Sequence, residues 1–177
     1  MDQINISRVV EMLVRGLHVF MVAAWLIFDF VVYWLHFKVK DATAPTLERL
    51  ERARVMHAVD TVVLYLFIGT LPVGLVLCWL TDTPVFTTAW LTWKHLLYAL
   101  IIVSAIVLIP VSGTALRNLK AMAAGATNAD ELNAQIRRDM NWGMPFVFFI
   151  WVAIVVMSVM SALNSKWPNL TEYLYGR

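Results

Sequence analysis

Residues 15–36 read RGLHVFMVAAWLIFDFVVYWLH, and this stretch decides the fold. It is long and apolar enough to cross a bilayer, which takes roughly 20 residues at about 1.5 Å of rise each. Yet it carries His18, Asp29 and His36, with Arg15 at its start. Steps of three and four from Arg8 reach Glu11, Arg15, His18, Val22, Trp25, Asp29, Val32 and His36, so these side chains share one helical face. Charge facing lipid is costly, and this face is expected to look into a bundle or at a partner subunit.

The rest of the chain has the same character. Of its 177 residues 60% are hydrophobic and 15% charged, against ~45–50% and ~25% in soluble domains. A net charge of +2 gives no reason to expect a nucleic-acid partner. Cys78 is the single cysteine, which excludes a disulfide framework and a Cys-based metal cluster. The first apolar run is too long for a signal-peptide core and lacks a small-residue cleavage site, so it is expected to be a retained span.

Apolar runs at about 16–36, 57–80, 93–116 and 142–163 predict four transmembrane helices in one membrane domain, residues 1–177. Loops 37–56 and 117–141 join them. The fold class is all-α integral membrane, an up-down four-helix bundle. Pro45 suits the start of a helix that reaches span two from outside the membrane. Gly125 ends one helix, and Thr127 with Asp130 three residues on has a capping-box pattern. Pro72 with Gly69 and Gly74, and Pro110 with Gly113, predict kinks, whereas Pro145 is expected in the first turn of span four. Ser158 and Ala162 give span four a small-residue face for close packing.

Lys38, Lys40, Arg49, Arg52, Arg54, Arg117, Lys120, Arg137 and Arg138 follow spans one and three, leaving five of the 14 basic residues for the other side. Positive charge stays inside, so both termini are expected outside, in the periplasm of a bacterial inner membrane.

On this topology the histidines fall into two pairs at two depths. His18 and His95 lie near the outer surface, and His36 and His57 near the inner one. His18 and His36 are five turns apart on one face, about 27 Å. Two imidazoles facing each other can ligate a b-type haem iron, so one or two haem sites are expected, with His18 and His95 first and His36 and His57 second. No CxxCH occurs, which excludes covalent haem. Arg15, Lys94 and Arg54 are candidate partners for propionates. Copper, bound by imidazole and thioether, is a weaker alternative, since Met12, Met21 and Met56 at helical spacing fit core packing. Asp29 and Asp60 are candidates for proton uptake or a structural ion pair. Arg54, His57 and Asp60, three apart on one helix, are within reach of one another. Antiparallel spans bring Asp29 near the depth of Asp60.

Four stretches carry a resemblance: LHVFMVAAWLIFDFVVY at 17–33, LERLERAR at 47–54, WLTWKHLL at 90–97 and RRDMNWGMP at 137–145. In this order they resemble small bacterial membrane proteins of the HemJ-type protoporphyrinogen oxidase and CopD-type group. The resemblance implies a four-helix membrane fold, haem b, and functional roles for His18 and Lys94. Trp142 follows Asn141 where the oxidase type has an acid. The functions to be weighed are therefore three. One is a b-type cytochrome passing electrons to a quinone or partner, and another a HemJ-like oxidase. The third is a non-catalytic subunit docking in a larger membrane complex or homo-oligomer through Ser158, Ala162 and the aromatic tail WPNLTEYLYGR.

Overall fold

Each apolar run continues as a single long helix, with Pro72, Pro110 and Pro145 accommodated inside α2, α3 and α4. The computed structural model describes residues 6–166; the tail WPNLTEYLYGR lies outside them. The helices are α1 (Ile6–Lys40), α2 (Thr46–Leu80), α3 (Ala89–Ala123) and α4 (Ala129–Lys166). All four are long and apolar enough to cross a membrane. Large apolar side chains such as Phe20, Ile27, Trp79, Ile106 and Val152 are exposed along the bundle. This is the surface of a multi-pass membrane protein, because lipid rather than water would cover it.

Each helix packs against its chain neighbour, and α1 meets α4 to close the ring. The bundle has a terminal end, where α1 begins and α4 finishes, and a basic end, where the 41–45 and 124–128 connections lie. Apolar packing has two levels. Trp25, Phe67, Ile101, Ile150, Ala153 and Ile154 fill the middle, and Leu35, Val39, Met56, Leu119, Ile136 and Met140 fill the basic end.

α1 presents the face read from its sequence. Trp25 and His36 are buried, and Val22, Asp29 and Val32 are half-buried, while Arg8 and Arg15 near the terminal end are exposed. Helices α2 and α4 begin about three turns before their apolar runs. Pro145 is consequently not in a first turn but well inside α4. Having no N–H, it leaves the Asn141 carbonyl without its helical donor. The Asn141 side chain, for its part, accepts from Lys40 Nζ at 2.9 Å.

Gly125, at φ +88°, ends α3 in the left-handed conformation that favours glycine. α4 starts one residue later than the expected cap: Asn128 precedes its first turn, and its side chain pairs with Glu131 rather than Thr127 with Asp130. Gly69 and Gly74 serve approach between helices. A Cβ on Gly69 would lie 2.7 Å from Met21 Cε, and one on Gly74 would lie 3.2 Å from His18 Cε1. Ser158 and Ala162 are exposed, since α4 turns Ala153, Ile154 and Met160 inward instead.

Arg49 closes the basic end. It is 1% exposed, and it donates from Nε to the Val39 carbonyl at 2.9 Å and from Nη1 to Asn133 Oδ1 at 2.7 Å. The first bond satisfies one of the orphan carbonyls at the C-terminus of α1, and the second reaches α4.

Candidate functional site

Polar side chains collect at two levels of the bundle. Toward the terminal end, α1 lays the His18 ring against Gly74 of α2, where a Cβ would lie 3.2 Å from His18 Cε1 and crowd the ring. The Thr70 backbone lies beside the ring and is its polar neighbour, while the buried Nδ1 makes no well-formed hydrogen bond with the described residues. Lys94 of α3 is near enough for its charge to act on that ring. Its Nζ donates to Ser161 Oγ at 2.7 Å and lies 5.2 Å from the centre of the Trp90 ring. Among the described residues no carboxylate pairs with Lys94. A recessed ammonium held by a hydroxyl and an aromatic face, with no acid, favours an incoming anion.

His95 is half-buried on α3 and makes no hydrogen bond, ion pair or ring contact, so no such contact joins it to His18. Arg15 pairs with Glu11 at 2.6 Å on the exposed surface.

Deeper in the bundle, α1, α2 and α3, with Ile150 of α4, line a partly open cavity of about 110 Å³. Its polar lining is Asp29, His57, Asp60, Thr61 and Ser112, set among Trp25, Phe67, Ile101 and other apolar side chains. His57 Nδ1 and Ser112 Oγ share a hydrogen bond at 3.2 Å. Ser112 is buried and lines the cavity together with Asp60 and Asp29. Asp29 accepts a hydrogen bond from the Trp151 indole N–H of α4. The expected matching of Asp29 and Asp60 in depth is therefore seen. Asp29 has no basic partner; an indole donor meets its need instead. The expected contact of Arg54 with His57 is replaced by an exposed pair of Arg54 with Glu51. In a helix both neighbours are within reach, and Arg54 takes the one that keeps it in solvent.

His36 is buried on α1 with Nε2 unpartnered, and its ring meets Phe37 edge-on at 5.6 Å. No hydrogen bond or ring contact links it to His57. Sequence reasoning missed three contributors: Ser112, Trp151 and Arg49. Ser112 stands beside Gly113 in the Pro110 segment, and only its position one turn from the cavity floor gives it a role. Trp151 has no sequence signal apart from its position on span four.

At the upper level the groups brought together are the His18 imidazole, packed on Gly74, and the Lys94 ammonium. The lower cavity is too small for a porphyrin, since small-molecule pockets run to roughly 300–1,000 Å³. No group of three or more His, Cys, Asp or Glu residues arranged to hold a metal ion occurs among the described residues. No protein-family model, curated protein or solved structure matches the chain.

Proposed function

We propose that this chain is a b-type haem electron-transfer protein of a bacterial inner membrane, with His18 and His95 as the residues that would hold the haem and both termini in the periplasm. One observation supports the reading: the His18 imidazole, packed over Gly74 with only the Thr70 backbone as a polar neighbour to Nδ1, lies near the Lys94 ammonium, which pairs with no carboxylate among the described residues. A buried imidazole nitrogen with no partner costs free energy until something occupies it, and iron is one such occupant. Bound haem would supply one-electron transfer. His18 is oriented by the Gly74 surface, and Lys94, braced by Ser161 and Trp90, would hold a propionate. Below them Trp25 and Phe67, whose ring centres are 4.8 Å apart, exclude water. His36, with its unpartnered Nε2, remains a candidate for a second haem, whereas His57 already engages Ser112. A quinone or another membrane subunit would take the electron. Haem staining with iron analysis of the purified chain tests this. The wild type should carry haem and His18→Ala should lose it while keeping its helical circular dichroism. A folded wild type free of iron after expression with ample haem would end the reading.

The position of Lys94 favours a second reading, the porphyrinogen oxidation that the HemJ-type resemblance implies. A porphyrinogen carries the carboxylates that an unpaired ammonium would recognise. Rescue of a haem-auxotrophic strain by the wild type and not by Lys94→Ala is the expected outcome.

A further inference from the structure

The lower cavity plays no part in either reading. At about 110 Å³ it has room for about three waters, each taking roughly 30 Å³ of liquid volume. Polar groups on three helices converge there, which is the setting in which buried water persists. The titratable groups that face it are Asp29 from α1 and His57 and Asp60 from α2. α3 contributes the Ser112 hydroxyl, and α4 the Trp151 N–H that holds Asp29. Among the described residues no Lys or Arg lines the cavity. Two carboxyl groups set among apolar side chains without a fixed cation call for a mobile one.

His57 identifies that cation. A hard alkali ion selects oxygen ligands, while an imidazole accepts a proton at one nitrogen and gives one up from the other. His57 also stands one turn from Arg54, which is exposed at the basic end. We propose that this cavity is a hydrated proton-binding site, entered from the basic end through His57, with Asp60 as the carboxylate that receives the proton. The transfer balances. A hydronium ion at the basic end gives a proton to Nε2 of His57 and is left as water. The Nδ1 proton passes to Ser112 Oγ as the Ser112 hydroxyl proton passes to Asp60, and His57 is neutral again. Asp29, fixed by Trp151, faces the same water.

The site is independent of haem, so the test uses the full chain in liposomes whether or not haem is bound. Infrared difference spectra between two pH values, in H2O and D2O, read protonated carboxyls. The expected result is a carboxyl C=O band that titrates, shifts in D2O and disappears in Asp60→Asn. His57→Gln should keep the band but slow its growth after a pH jump, on the order of 100-fold. Ser112→Ala, a smaller change, should slow it too. A band that survives Asp60→Asn, a pH-jump rate unchanged in both other variants, or displacement of the band by NaCl at fixed pH would overturn the proposal. Loss of helical circular dichroism in Asp60→Asn would move the test to Ser112→Ala, whose rate then decides it.

Discussion

Asp29 shows how a membrane helix accommodates an acid. Its carboxylate meets neither lipid nor a basic residue; it accepts from the Trp151 indole across the α1–α4 contact. Trp151→Phe keeps most of the aromatic volume and deletes the donor, which should destabilise the folded bundle by about 1–3 kcal/mol. Asp29→Asn made alone and together with Trp151→Phe completes a double-mutant cycle in detergent unfolding. The cycle should give a coupling energy well above the few tenths of a kcal/mol expected of independent sites. Arg49 is the second decisive residue. Cutting it to alanine removes a bond to the end of α1 and a bond to α4 at once, for a loss of about 2–4 kcal/mol. Arg49→Lys should recover little of it, because one ammonium cannot reproduce the two-directional fork. Thermal unfolding monitored by circular dichroism checks both variants.

Helix number, approximate spans and the inward face of α1 were legible in the sequence, because hydrophobic length and a three-four spacing reflect burial directly. Helix ends were less so. α4 runs about three turns beyond its apolar segment, so Pro145 was placed at a start that lies elsewhere. Glycine was ambiguous in the same way: Gly69 and Gly74 suggested kinks, and in the structure they seat Met21 and His18. Gly74→Ala should therefore move the His18 ring by a few tenths of an ångström, with little change in stability and a changed haem spectrum. The α1–α2 connection supplies a pH test. The Thr43 hydroxyl bonds the Asp41 carboxylate at 2.7 Å and the Thr43 amide bonds it at 3.0 Å, which holds its pKa below the usual carboxylate range. The contribution of Asp41 to the turn is thus fully present above the ordinary carboxylate pKa and is lost as pH falls through the lowered one. In an NMR titration the Thr43 amide should report a midpoint below that of an unstructured Asp.

Taken whole, the bundle gathers its inner polar side chains at two levels: His18 and Lys94 toward the terminal end, and Asp29, Asp60, Ser112 and His57 nearer the basic end. The sequence disclosed these residues because ionisable groups are rare inside membrane helices. It did not disclose their grouping, since pairing histidines by depth ignores the rotation of each helix about its own axis. His57 turns toward α3 and Ser112, and the expected partnership with His36 is not seen as a contact. Ser112 and Trp151 belong to the lower level only through packing that no local pattern encodes. The proposed redox function rests on the upper level, and its most direct test is the absorption spectrum of the purified, reduced protein. A sharp haem b α-band in the wild type that is lost in His18→Ala is the predicted result. A reduced wild type without that band, or a band unchanged by His18→Ala, would contradict it.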